Sequence, residues 1–418
     1  MNDKPIRIAL FPDSLHEVNG VANTCRHFAQ YARAHNLPMF VVHASSSSTS
    51  RQDGSVTYLG LKQGPLSFPV EKDLRCDPAF AFHLGRVLRE LRRFQPDAIH
   101  ITGPSDMGLL GLLAAYKLGV PLVASWHTNV HEYAARRMDR LIPAWLLRGA
   151  LRSRFLNLIE KVSFQLALLP FRPARFYFAP NPELVQCLQN ATSKPCSLME
   201  RGIDLDLFGP QMRTRKSDGE FLIGYVGRLS TEKNIRTFAP LAEALKQAGC
   251  NHVRFVFVGH GGEEAWLREN IPQARLTGVL KGEPLSRAYA DLDLLVFPSQ
   301  TDTFGNVVLE ALASGVPAAV SHLGGPRFIV DEASGFVCSS ETEFAQAALC
   351  LIQDRNLRSA MSAAARKRAE RASWNAVFDA VYNAYETELG ARPVAHSKSM
   401  KISGESNEAV SSSSRSLR

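Results

Sequence analysis

"EALASGVPAAVSH" (residues 310–322) reads as the end of a helix, a turn through Gly315 and Pro317, and a short strand. Glycine accepts the left-handed conformation that ends a helix, and a proline beyond it blocks continuation. The same plan occurs earlier in the chain, in "AAYKLGVPLVASWH" (114–127), through Gly119 and Pro121 to His127. A repeated helix–turn–strand unit indicates two similar halves.

The segments around each copy agree. In the first half, "IRIALF" (6–11) precedes Gly20 and an amphipathic stretch from Val21 to Ala34. "MFVVH", a helix around 78–94, "DAIHI", a helix around 105–118 and "PLVASW" follow. The second half runs "FLIGYV" (221–226), a helix from about Asn234 to Ala248, and "VRFVFVG" (253–259). "LDLLVF" (292–297), the helix bearing Glu310 and "PAAVS" (317–321) continue it. Short apolar strands alternating with helices predict βαβ units and parallel sheets. The expected fold class is therefore α/β, with two Rossmann-like domains, and 418 residues suit two cores better than one. The join is expected near "ERGIDLDLFGPQMRTRKSDGE" (200–220), which gives domains 1–205 and 206–375. Residues 342–389 are helical in pattern, "SSSSTS" (45–50) reads as a loop, and the Ser-rich end 391–418 reads as disordered.

Composition excludes several classes. No apolar run reaches the roughly 18 residues of a membrane span, and "MGLLGLLAAYKLGVPLV" carries Lys117 in its middle. The start, "MNDKPIRIALF", lacks the features of a signal peptide. Seven scattered cysteines without a C-x-x-C pair predict reduced thiols in a cytosol, and neither a disulfide framework nor a zinc site. The net charge of +8 is uneven: residues 1–205 carry +8, 206–390 carry −3 and the tail +3. The two halves are expected to meet different partners. Despite the pI of about 9.2, no nucleic-acid-binding module is recognisable.

Open parallel sheets bind ligands outside the carboxyl ends of their strands, and the informative residues lie there. "GYVGRLSTEKN" (224–234) leaves a strand through Gly227, presents Arg228 and places Lys233 at the start of the next helix. Two cations beside a helix start can neutralise a diphosphate, or can equally be a solvated surface pair. "VGHGGEEAWL" (258–267) is a Gly-rich turn that also reads as a plain turn, with Glu263 and Glu264 in a helix's first turn. "TDTFGNVVLE" (301–310) sets Asp302 before Phe304, Gly305 and Asn306, and Glu310 eight residues on. Were the interval helical, the acids would stand about 12 Å apart, able to bracket a ligand with hydroxyls at both ends. Asp302 as a cap and Glu310 as a solvated helix residue is the plainer alternative. His127 reads as either a packed strand-end residue or a site residue. "DLD" (291–293) matches a metal motif in form, but it runs into a strand and flanks Leu292, so no metal is expected.

"NGV" (19–21), "YVGRLSTEKN", "VGHGGEE" and "FPSQTDTFGNVVLEALASGVP" resemble the retaining GT-B glycosyltransferases of family four, the group 1 transferases. The likeness covers most of residues 6–390 and is greatest to bacterial lipid mannosyltransferases and to sulfoquinovosyl- and glucosyl-diacylglycerol synthases. It implies a cleft between two Rossmann-like domains, with a C-terminal helix (376–390) crossing back to the first. It implies that Arg228 and Lys233, beside Gly227, grip the donor diphosphate. It further implies that Glu310 binds the ribose, and that Asp302 with the Phe304-Gly305-Asn306 backbone addresses the sugar. His127 corresponds to a histidine near the reacting sugar, and Gly20 to a glycine beside the diphosphate. Asp302 departs from the glutamate of most relatives. The implied reaction is retaining transfer of a hexose, mannose from GDP-mannose being the first expectation, without cofactor or metal. A UDP-sugar-dependent enzyme with a soluble or anionic acceptor, and a non-catalytic nucleotide-sugar-binding protein, are the alternatives. A dinucleotide dehydrogenase is disfavoured because "FPDSLHEVNGV" lacks closely spaced glycines.

"RRMDRLIPAWLLRGALRSRFLNLIEK" (136–161) carries seven Lys/Arg and two acids among apolar residues. Arg136, Arg137, Arg140, Trp145, Arg148, Arg152 and Arg154 suit an anionic membrane surface, each cation contributing about 1 kcal/mol. "RVLRELRR" (86–93) adds a second basic cluster. A solvated basic face over core leucines is the alternative. The expectation is a cytoplasmic enzyme, peripheral at the inner membrane face, whose acceptor is a lipid or lipid-linked glycan.

Overall fold

The computed structural model describes residues 4–17, 20–64, 68–71, 74–127, 149–215 and 219–390. The front lobe begins with β1 (Ile8–Phe11), α1 (Gly20–Ala34), β2 (Met39–Ser45), β3 (Thr49–Asp53) and β4 (Val56–Lys62). A small hairpin, β5 (Phe68–Glu71) and β6 (Leu74–Cys76), leads to α2 (Leu84–Phe94), β7 (Ala98–Ile101), α3 (Asp106–Leu118) and β8 (Leu122–Ser125). After α4 (Gly149–Leu168) come β9 (Phe176–Ala179), α5 (Pro182–Thr192) and β10 (Cys196–Leu198).

The rear lobe holds β11 (Phe221–Val226), α6 (Phe238–Gln247), β12 (Val253–Val258), α7 (Glu264–Asn270), β13 (Arg275–Gly278) and α8 (Gly282–Ala290). It continues with β14 (Leu294–Phe297), α9 (Asn306–Ala313), β15 (Ala318–Ser321) and β16 (Gly335–Cys338). Three helices close the described chain: α10 (Glu341–Gln353), α11 (Arg355–Glu370) and α12 (Trp374–Leu389).

The central strands β1, β2, β7, β8, β9, β11, β12, β14 and β15 are short runs buried mostly on both faces, as parallel sheets covered by helices require, whereas the edge strand β3 is polar and exposed. The rear sheet runs β13-β12-β11-β14-β15-β16, all parallel. The front sheet runs β10-β9-β8-β7-β1-β2-β4-β3, with only β3 antiparallel. In both, the strand order reverses beside the first strand: between β11 and β14 behind, and between β1 and β7 in front. Loops diverge there and leave a crevice at the carboxyl ends. The repeated unit occupies equivalent places, since β8 and β15 each pair one strand out from the reversal. Gly119 (φ 68°) and Gly315 (φ 72°) both adopt the left-handed conformation.

One helix boundary differs from expectation. The chain does not enter a helix at Asn234, because Asn234 itself has φ 55°. Lys233 instead closes a 3₁₀ turn (Thr231–Lys233), a second follows (Ile235–Thr237), and α6 starts at Phe238. Likewise only residues 306–310 of the 302–310 interval are helical, so the 12 Å helical spacing does not apply.

Helix α12 leaves the rear lobe and packs into the front one. Phe378, Val381, Tyr382 and Tyr385 share a core with Ile8, Leu10, Phe28, Tyr31 and Phe176. Trp374 stacks on His27 at 4.4 Å, and Phe378 on Phe28 at 4.7 Å with rings 5° from parallel. Those contacts make the last helix part of the first domain's core. Phe378→Ala is therefore expected to destabilise the protein by about 3–5 kcal/mol in urea unfolding. A loss below about 1 kcal/mol would show that α12 is an appendage.

Candidate functional site

The rear crevice is walled by the loop after β11 (227–233) and the loop after β14 (298–305). Lys233 Nζ lies 2.8 Å from each carboxylate oxygen of Asp302, so the two loops are joined by a forked ion pair. Both side chains are mostly covered, at 14% and 24% exposure. Arg228 stays exposed on the same loop, and its carbonyl accepts the Tyr225 hydroxyl at 3.0 Å. The expected cation and acid thus meet, but they neutralise each other in this state. On the second loop, Ser299 Oγ and Thr301 Oγ1 are enclosed and have no hydrogen-bond partner. Buried hydroxyls without partners are costly, and such groups mark a place for a polar ligand.

Helix α9 opens at Gly305, whose φ of 107° suits only glycine, and an added Cβ would stand 2.9 Å from Pro326. Asn306 faces the other lobe: a Cβ on Gly20 would lie 3.0 Å from its Nδ2. Gly20 and Asn306 therefore meet across the cleft. Phe304 is buried, with the Arg201 guanidinium 5.9 Å from its ring centre.

Glu310, one turn into α9, accepts the Tyr289 hydroxyl at 2.7 Å. Burial pushes its carboxyl up to about 7, although the Tyr289 bond works the other way. In front, burial likewise raises Asp13 to about 7, with the neighbouring Asp106 adding to the effect and the Ser105 hydroxyl opposing it. Asp13 follows β1 and accepts from Ser105, beside the front sheet's own reversal point. Sequence reading passed over Asp13, because a lone acid after a strand carries no pattern.

His127 is buried, and both ring nitrogens are engaged: Nδ1 by Arg201 at 2.7 Å, Nε2 by Ser125 Oγ at 2.7 Å. Its main-chain carbonyl accepts the Thr303 hydroxyl at 2.8 Å, and Asn181 Nδ2 donates to the Thr303 carbonyl at 2.6 Å. Arg327 adds an interlobe ion pair to Glu183 at 2.9 Å. Thr303, Asn181 and Arg201 were missed as well, although Thr303 stood in a stretch already marked by resemblance.

Other residues have structural employment. Glu263 holds the 231–236 segment, accepting from Thr231 Oγ1 at 2.8 Å and Arg236 Nε at 2.9 Å. Asp293 pairs with Arg213 and Arg215, and Asp291 accepts from Thr214 and from the Arg215 amide. Among the described residues no cluster of three metal-ligating side chains occurs. Arg136, Arg137, Arg140, Trp145 and Arg148 lie outside the described residues; Arg152 is half-buried on α4, and of Arg154 only the backbone is described.

Family models match both lobes: "Glycosyltransferase Family 4" over residues 18–207 and "Glycosyl transferases group 1" over 220–354. A sulfoquinovosyl transferase of Arabidopsis thaliana is 31% identical, over 91% of this chain and 73% of its own. A GDP-mannose-dependent α-mannosyltransferase of Mycobacterium tuberculosis is 30% identical, over 93% of this chain and 98% of its own. Among solved structures, a sucrose-phosphate synthase of Thermosynechococcus elongatus superposes with a TM-score of 0.68 at 19% identity, covering 93% and 100% of the two chains. Two facing α/β lobes of this kind define a glycosyltransferase of the GT-B fold. The chain belongs to glycosyltransferase family four, the group 1 transferases.

The Glu310 environment has a measurable consequence. A carboxyl raised from 4.5 to about 7 favours the folded state when protonated. Its contribution is present below about pH 4.5 and is lost as pH rises through 7. Glu310→Gln keeps an acceptor for Tyr289 without the buried charge. At pH 8 the variant is expected to be more stable by about 1–3 kcal/mol, with the gap closing near pH 4.5. Parallel stability curves across that range would contradict the assignment.

Proposed function

We propose that the protein transfers a hexosyl group, mannose from GDP-mannose, to a lipid or lipid-linked acceptor at an anionic membrane surface, with retention of anomeric configuration. One observation carries the reading: Lys233 and Asp302 join the two loops of the rear crevice in a chain that aligns end to end with a GDP-mannose-dependent α-mannosyltransferase. The lipid part draws on the 25% identical α-monoglucosyldiacylglycerol synthase of Streptococcus pneumoniae, matched over 82% of this chain. A second reading, transfer of another hexosyl group, draws on the sulfoquinovosyl transferase relative.

Breaking the bond from sugar C1 to the diphosphate builds positive charge on the sugar ring and negative charge on the departing phosphate. In the proposed complex, Arg228 and Lys233 face that phosphate, where pre-placed cations stabilise charge as it develops. Lys233 then trades part of its bond to Asp302 for a phosphate oxygen. The freed carboxylate accepts hydroxyls of the sugar, and Glu310 accepts those of the ribose. The leaving phosphate takes the acceptor's proton on the same face, which accounts for retention without a covalent intermediate. The side chains supply the positive charge that such a step needs, with no metal ion.

The membrane part is supported by helix α4. Phe155, Leu158, Val162, Leu166 and Leu169 are exposed at spacings of three and four, on one face, with Lys161 and Arg172 beside it. No helix among the described residues is long and apolar enough to cross a membrane. An apolar stripe edged by cations suits shallow insertion into anionic lipid, at the cytoplasmic face.

In a thermal-shift panel of GDP- and UDP-sugars, GDP-mannose is expected to raise the melting midpoint most. A larger shift from a UDP-sugar would replace the donor assignment, and no shift from any nucleotide sugar would sink it. Lys233→Ala is expected to lower kcat by roughly 10²–10³-fold with an unchanged circular dichroism spectrum. In vesicle flotation, recovery should be higher with anionic than with neutral lipid, and Leu158→Asp with Leu166→Asp should abolish it. Equal recovery with both lipids counts against the surface.

A further inference from the structure

A buried run of hydrogen bonds connects the cleft to the last helix, and the proposed transfer leaves it without a role. Arg201 is 4% exposed and meets no carboxylate among the described residues. Its Nη1 donates to the carbonyls of Met199 (2.9 Å) and Glu200 (3.2 Å), and its Nη2 donates to His127 Nδ1. From His127 Nε2 the run continues to Ser125 Oγ, then 3.0 Å to His100 Nε2, and from His100 Nδ1 to the Tyr385 hydroxyl. Ser125, His100 and Tyr385 are each at most 1% exposed.

Donor and acceptor chemistry fixes the His127 end of the run. A guanidinium only donates, so His127 Nδ1 must accept, and a neutral His127 carries its proton on Nε2 and donates to Ser125 Oγ. Beyond Ser125 two directions satisfy the same contacts: Ser125 donates to His100 Nε2 and His100 Nδ1 donates to Tyr385, or Tyr385 donates to His100 Nδ1 and His100 Nε2 donates to Ser125 Oγ.

We propose that Arg201, Ser125, His100 and Tyr385 are positioning residues that hold His127 in a single neutral tautomer, and through its carbonyl fix the loop carrying Thr303. The C-terminal helix thereby sets the geometry of the cleft, which gives its return to the front lobe a function. The inference depends on the proposed function only in taking residues 301–306 as part of the donor site. A ring held at both nitrogens ties His127 to the front lobe, and the carbonyl of the same residue accepts the Thr303 hydroxyl. The charged and titratable groups around it act in the same sense. Arg201 faces it from the linker, His100 from β7, and the Cys25 thiol of α1, pushed up to about 12 by burial, adds no charge. Burial, then the Arg201 charge, hold His127 well below its ordinary range, and burial holds His100 at about 3.

The test uses histidine-¹⁵N-labelled full-length protein. Ring-nitrogen spectra are expected to show the Nε2–H form for His127 and one tautomer for His100, unchanged from pH 5 to 8. In Arg201→Met the donor to His127 Nδ1 is gone, so both His127 tautomers should appear and the ring should become easier to protonate. Arg201→Lys, which keeps a charged donor, should restore the single Nε2–H form. Tyr385→Phe removes the hydroxyl partner of His100 Nδ1 while keeping the ring. It should mix the tautomers of His100 and lower kcat roughly tenfold, with the donor KM within about twofold. An Nδ1–H form of His127, or its titration in the wild type, overturns the proposal. So does a Tyr385→Phe protein with wild-type spectra. The spectra stand without any assay, so failure of the donor assignment leaves this result readable.

Discussion

Everything at the cleft depends on how the loop between β14 and α9 is pinned. Thr303 is held from both ends by the opposite lobe: its carbonyl by Asn181, which also caps α5, and its hydroxyl by the carbonyl of His127. Asp302 on one side is tied to Lys233, and Gly305 on the other has a backbone that no side chain would tolerate. A loop so constrained presents the first turn of α9 to the cleft in one orientation. The Val308 and Leu309 amides bond back to the Gly305 carbonyl, which leaves those of Asn306 and Val307 as a natural seat for an anionic or hydroxyl-bearing group.

Electrostatically the two walls of the cleft differ. The rear wall carries Arg228, exposed, and Lys233, compensated by Asp302. The front wall carries Arg201, buried with no carboxylate partner among the described residues, together with a carboxyl at Asp13 that burial raises to about 7. Glu310 is raised to the same range. Acids held protonated by burial cost stability and mark a candidate functional site. The pairing of Lys233 with Asp302 fits the same logic, since each keeps the other oriented until something better arrives.

Much of the architecture could be read from residues alone. The two glycine–proline turns announced the doubled plan, and continuous apolar strands announced parallel sheets. Those signals are local: glycine's left-handed backbone and a run of buried aliphatics need no distant partner to be recognised. Lys233, Asp302 and Glu310 were legible as candidate site residues for a similar reason, in loops or a helix start that follow strands in a spaced pattern. The start of α6 was misread because Asn234 can adopt either a helical or a left-handed backbone, and only its surroundings chose.

The sequence by itself determined the fold class, the doubled lobes and the identity of the cations and acids that line the rear crevice. Only tertiary structure decided that Lys233 and Asp302 neutralise one another, that Glu310 is enclosed beside Tyr289, and that His127 has neither ring nitrogen free. It alone brought Tyr385, His100, Ser125, His127 and Arg201 into one line, from positions 385, 100, 125, 127 and 201. The physical reason is distance along the chain. Backbone preference and periodicity act over a few residues, whereas hydrogen bonds and desolvation act between groups that meet only once both lobes are packed.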